Sequence, residues 1–195
     1  MELRDCMGAV TLFILALGLS MDAFAVSISN SLCFDGLRRR DAVFTSFLFG
    51  VFQGVMPLLG YFAGRAFADV IRGIDHWIAF VLLVFIGGKM IFDAFREWNE
   101  PVSCPVTRVL TVKMMFVQAV ATSIDALAVG VSLAALDVNI WLAGAFIALV
   151  TFLCCLVGHL IGRKAGGLIG NWAQVAGGVI LVGIGVKILI EHTFF

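Results

Sequence analysis

Charge is what this chain has least of. Asp, Glu, Lys and Arg make up 13% of its 195 residues, against 62% hydrophobic, and the mean hydropathy is +1.08. A soluble domain carries about 25% charged residues, so the shortfall excludes an ordinary water-soluble fold. Long polar segments are missing too. A membrane-spanning helix takes roughly 20 apolar residues. Six such stretches, at about 8–32, 42–64, 76–96, 113–136, 140–162 and 172–192, use up nearly the whole chain. No room is left for a soluble catalytic domain, so any function lies in the membrane bundle. Net charge is zero, which by itself says nothing about partners; no nucleic-acid partner is expected. The five cysteines (Cys6, Cys33, Cys104, Cys154, Cys155) show no CxxC spacing and read as free thiols packing as small apolar groups. A Walker A loop is absent: Gly178–Gly183 is followed by Ile184, where that loop needs a lysine. No clean small-x-small cleavage site follows Val10–Leu19, so this segment reads as a spanning helix and not as a signal peptide.

What is there is a repeat. Residues 18–29 read GLSMDAFAVSIS and residues 121–132 read ATSIDALAVGVS. Asp22 and Asp125 are counterparts at an offset of 103, as are Ser20 and Ser123, and Ser29 and Ser132. Gly60–Arg65 matches Gly158–Arg163 at an offset of 98, and Val84–Asp93 matches Val182–Glu191 at the same offset. The expected organisation is one all-α polytopic domain over 1–195, with repeat one at about 8–96 and repeat two at about 113–193. Each repeat holds three spans. An odd number makes the second repeat enter the membrane from the opposite side, so the two are expected to be inverted.

Both aspartates sit mid-helix. Each costs roughly 2.5–3.5 kcal/mol there, and the pair about 5–7. That rivals the net stability of many domains. Arg and Lys are absent from the middles of these two helices, so a divalent cation shared between the carboxylates would balance them. The other reading is two protonated carboxyls hydrogen-bonded across an interface. Ser29 and Ser132 each follow their aspartate by seven residues, about 10 Å along the same helix face. With Ser20 and Ser123 they are candidates for a transport path or for close helix packing. Gln53 adds a neutral oxygen in the second span, and Pro57 can free backbone carbonyls or simply kink it. Lys89–Asp93 and Lys187–Glu191 repeat an i, i+4 charge pair, as gating or structural ion pairs or as snorkelling anchors. Trp77, Trp98, Trp141 and Trp172 fall near span ends, as interfacial anchors do. His76, His159 and His192 form no cluster in sequence.

The basic residues give an orientation. Arg38, Arg39, Arg40, Arg96, Arg108, Lys113, Arg163 and Lys164 flank the first, third and fifth loops; Arg4, Arg65 and Arg72 lie on the other side. The bias puts those odd-numbered loops in the cytoplasm and both termini outside it.

From about Val10 to His192 these features resemble the MntP-type manganese efflux pumps of bacteria. The most specific parts are Ser20–Ala25 (SMDAFA), His76–Leu83 (HWIAFVLL), Ala121–Ala126 (ATSIDA) and Gly183–Lys187 (GIGVK). The resemblance implies a six-helix protein of the cell membrane, the inner membrane in a Gram-negative cell. It would export Mn²⁺ as substrate, with no permanently bound cofactor and with lipid as its surroundings. The family's membrane aspartates fall on Asp22 and Asp125; family members can have a glutamate where this chain has Gln53. Oxygen ligands suit Mn²⁺, Mg²⁺ and Ca²⁺ alike, so manganese comes from the resemblance and not from the residues. Two other classes stay open: an exporter of another divalent cation or small solute, and an intramembrane aspartyl protease. The protease's GxGD signature is missing before both aspartates. The expected class is therefore a transporter, not an enzyme, with an oligomeric state the residues do not reveal.

Overall fold

The structure is a computed structural model that describes residues 2–34, 37–66, 75–97, 109–134, 138–165, 172, 175–184 and 186. Among the described residues the regular structure is all helical. The helices are α1 (Glu2–Cys33), α2 (Arg39–Ala66), α3 (Asp75–Glu97), α4 (Val112–Thr122), α5 (Ile124–Leu133), α6 (Ile140–Ala165) and α7 (Val175–Ile184). Val10–Cys33, Arg39–Ala66, Val112–Leu133 and Ile140–Gly162 are long and apolar enough to cross a membrane. Lys187, Glu191 and His192 lie outside the described residues, as do Arg72, Trp98, Cys104 and Arg108.

The bundle is apolar outside, and its apolar core encloses a set of polar side chains. Phe47, Phe85, Phe92, Trp141, Leu142 and Leu160 are each more than half exposed. Ser20, Thr45, Ser46, Gln53, Ser123 and Thr151 are fully enclosed. A surface of that kind belongs in lipid, which has no polar groups to meet it.

Two expectations change. The fourth span, expected as one helix over 113–136, is divided at Ser123 (φ −105°, ψ 2°). Thr122 Oγ1 donates to the carbonyls of Gln118 (2.9 Å) and Ala119 (3.3 Å), and Ser123 Oγ to that of Val120 (3.0 Å). Hydroxyls that bond back to the preceding turn compete with the helical ladder and bend it. Ser123 N–H accordingly bonds to Val120 in a tighter i−3 turn. The second change concerns cysteine. Cys154 and Cys155 are free thiols as read, but Cys33 is disulfide-bonded.

Packing recurs in step with the sequence repeat. The most extensive interfaces are α1 with α6 and α2 with α5 and α6. Glycine permits them, since a Cβ would strike the facing backbone. At Gly158 it would stand 3.0 Å from the Phe24 carbonyl oxygen; at Gly60 it would collide with that of Leu127. Gly60 and Gly158 are counterparts, and so are Phe24 and Leu127. One turn further, Gly64 meets Val131 and Ala134 as Gly162 meets Ile28 and Ser31, again counterparts in every position. Where α2 crosses α6, Gly50 faces Ala148, its own counterpart. The outer pair meets at Gly87 and Gly178, and α7 reaches α1 through Gly177 against Gly18 and Met21.

Candidate carboxylate site

Asp22 lies in the unbroken middle of α1, and Asp125 in the first turn of α5, two residues past the break. The helix N-terminus offers Asp125 free N–H groups and a positive dipole end. Its Oδ1 accepts from the Ala126 N–H at 2.7 Å. Both aspartates are half-buried as residues, and Asp125 Oδ2 is shut off from the surface without a hydrogen-bond donor among the described residues. Asp22 acts on Asp125 electrostatically, so the fold brings the two together from positions 103 residues apart. Two carboxylates within electrostatic reach of each other, with Asp125 Oδ2 enclosed, have the charge and the donor atoms to hold a cation.

Gln53 completes this group. It is fully buried in α2, and its amide faces Asp125. Its Nε2 donates to the Leu19 carbonyl of α1 at 2.9 Å, leaving Oε1 enclosed and without a donor among the described residues. A donated amide on one side orients a free oxygen on the other. Pro57, four residues on, packs against Gly130 of α5. Thr151 is the counterpart of Gln53; its buried Oγ1 also has no partner among the described residues, but its side chain is too short to imitate the amide.

Three of the four candidate serines are engaged in hydrogen bonds. Ser20 Oγ donates to the Leu17 carbonyl (2.9 Å) and lies 3.3 Å from Cys154 Sγ. Ser123 Oγ serves the break, and Ser132 Oγ donates to Ala128 at 3.2 Å. Ser29 is half-buried near the end of α1. Lys89 is exposed and Asp93 half-buried on α3. Among the described residues no three His, Cys, Asp or Glu side chains gather as a metal site. The donor set here is therefore two carboxylates plus neutral oxygen, suited to hard or borderline cations.

Asn30 and Gln118 carry a signal that a motif search passes over: they are amides inside apolar helices. They join α1 to α4 by two reciprocal hydrogen bonds of 2.9 and 3.0 Å.

Fold and site together define a multi-pass helical membrane protein with two electrostatically coupled, half-buried aspartates on its spans. Residues 36–189 match the family model described as "Putative manganese efflux pump". The chain is 52% identical over 97% of its length to "Putative manganese efflux pump MntP" of Ruminiclostridium cellulolyticum, 99% of which is covered. It is 44% identical to the protein of the same name from Clostridium perfringens strain 13, with 96% of each chain covered. It is 42% identical to "Putative manganese efflux pump MntP 2" of Clostridium botulinum strain Langeland, again over 96% of each. The chain belongs to this family of manganese efflux pumps. No solved structure matches it.

Proposed function

We infer that this protein exports Mn²⁺ from the cytoplasm, with Asp22 and Asp125 as the charged ligands and Gln53 Oε1 as a neutral one. The observation that carries this is the electrostatic coupling of two mid-span aspartates from duplicated positions, with a buried amide beside Asp125. The relatives' names supply the metal. The bundle is read as two inverted three-helix repeats crossing the membrane six times. The counterpart contacts of Gly60 and Gly158, and of Gly64 and Gly162, support a twofold relation between the repeats. On this reading the first, third and fifth loops face the cytoplasm and both termini face out. Reporter fusions at Phe195 and within 97–107 should report opposite compartments; a cytoplasmic C-terminus overturns the orientation.

The direct test is cellular Mn²⁺ accumulation under manganese stress. Asp22→Asn and Asp125→Asn, and the alanine variants, should each abolish protection while the protein still reaches the membrane. Charge rather than hydrogen bonding is what the cation needs. Normal export by either asparagine variant removes the carboxylate pair from the mechanism.

Export also needs energy. Moving a divalent ion out against an inside-negative potential costs roughly 4.6 kcal/mol per 100 mV, at about 2.3 per charge. A passive pore would therefore admit Mn²⁺. The reading is secondary antiport, most simply with protons: the carboxylates bind Mn²⁺ when ionised and release it outward as they protonate. Proteoliposomes with an imposed pH gradient and no ATP should transport Mn²⁺. Transport indifferent to that gradient and to a protonophore rejects the proton version.

A further inference from the structure

The two ends of the carboxylate site are not alike. Asn30 lies eight residues after Asp22 and Gln118 seven before Asp125, which puts their amide pair about 10–12 Å from the carboxylates along both helices. The pair stands on the side of the Arg38–Arg40 loop and Lys113. Asn30 is 2% exposed, and each amide both donates to and accepts from the other. The repeat supplies a comparison. The counterpart of Asn30 is Leu133 and that of Gln118 is Leu15, both buried in one apolar cluster with Leu19 and Val129. A polar clasp therefore sits at one mouth and a leucine seal at the other.

We propose that the Asn30–Gln118 amide pair is a second, neutral cation-handling site, the mouth that admits a hydrated divalent cation to Asp22 and Asp125 from the basic-loop side. This rests on reading the two aspartates as the cation site. An amide clasp opens at little net cost, because water replaces each bond, and its two freed carbonyl oxygens can then accept from the ion's water shell. A leucine seal must expose apolar surface to open. The fold also holds a hinge for the movement. Ser123 separates Gln118 from Asp125, and Thr122 bonds back to the Gln118 carbonyl. The two halves pack in different clusters: Met115 and Ala119 of α4 with Leu48, Phe49 and Cys155; Ala126, Val129 and Leu133 of α5 in the cluster of Leu15 and Leu19. α5 packs on α2 far more extensively than α4 does. α4 can thus tilt about Ser123 and part Gln118 from Asn30 while Asp125 keeps its place.

The test bridges the mouth reversibly, so that folding is not in question. Asn30→Cys with Gln118→Cys is joined in proteoliposomes by a bifunctional methanethiosulfonate and released by dithiothreitol. Bridging should cut Mn²⁺ transport at least tenfold and reduction should restore it; the parent chain taken through the same cycle controls for native cysteines. In parallel, Asn30→Leu with Gln118→Leu should lose transport at least tenfold while purified protein still binds Mn²⁺ within twofold of the parent. Undiminished transport by the bridged protein overturns the proposal, as does leucine-pair transport at the parent rate. Asp22→Asn run alongside separates the two readings. If it stops transport and bridging does not, the mouth falls alone; if it transports normally, the carboxylate site falls.

Discussion

Asp22 and Asp125 hold the same place in the two repeats, yet α1 runs through its aspartate and the fourth span breaks two residues ahead of its own. The cause is local. Ser20 and Ser123 are counterparts and both bond back to a carbonyl three residues earlier. Only the second repeat adds a threonine before its serine, and Thr122 takes two more carbonyls of the same turn. In the first repeat that position is Leu19, whose carbonyl receives Gln53 instead. One repeat thus positions its carboxylate on a continuous helix held by a neighbour's amide. The other positions it at a helix N-terminus. Duplication supplies two carboxylates, and divergence around them supplies unequal surroundings, which a device that binds on one side and releases on the other requires.

At one crossing the broken span also lies closer to its neighbour. A Cβ at Gly60 would run into the Leu127 carbonyl, whereas at the counterpart Gly158 it would stand 3.0 Å from Phe24. The largest expected effect that tests this comparison is therefore Gly60→Ala. It should cost about 3 kcal/mol by forcing α2 from α5, and Gly158→Ala about 1 kcal/mol. Gly88→Ala, with nothing within 4 Å of its Cβ, should be neutral. Thermal unfolding of the detergent-solubilised proteins checks the order. Equal losses at Gly60 and Gly158 would mean that the two interfaces are equally tight.

Much of this was legible in the sequence. The all-helical class and the placing of the aspartates follow from hydropathy and from the repeated phrase, because lipid forces backbone hydrogen bonds to be made within each span. The break at Ser123 was not legible, since serine and threonine occur mid-helix without breaking it; what decides is which carbonyls the hydroxyls reach. The engagement of Gln53 with Leu19 depends on how α2 crosses α1, a tertiary matter. The Asn30–Gln118 pair was visible only as two isolated amides 88 residues apart. The Cys33 disulfide has no spacing motif to announce it.

The smaller effect comes from the neutral oxygens. Gln53 and Thr151 are counterparts, and both hold a buried oxygen without a donor among the described residues. Their positions differ in what else they do. Gln53 ties α2 to the Leu19 carbonyl and sets its amide beside Asp125; a hydrogen bond of this kind contributes about 0.5–1.5 kcal/mol. Gln53→Leu should therefore lower Mn²⁺ transport about tenfold, the kinetic equivalent of about 1.4 kcal/mol, with protein still in the membrane. Thr151→Val keeps the shape and removes a hydroxyl without a partner among the described residues, which leaves stability unchanged or slightly raised. Its transport should stay within about twofold of the parent. Both are read in the same proteoliposome assay, at several Mn²⁺ concentrations. A loss confined to KM for Gln53→Leu fits a ligand to the bound ion, whereas a loss in kcat alone assigns Gln53 to the movement of α1 against α2. Should Thr151→Val fall as far as Gln53→Leu, the second repeat contributes its own neutral ligand. The site would then be symmetric in its donors, and its asymmetry would reside in the helix break alone.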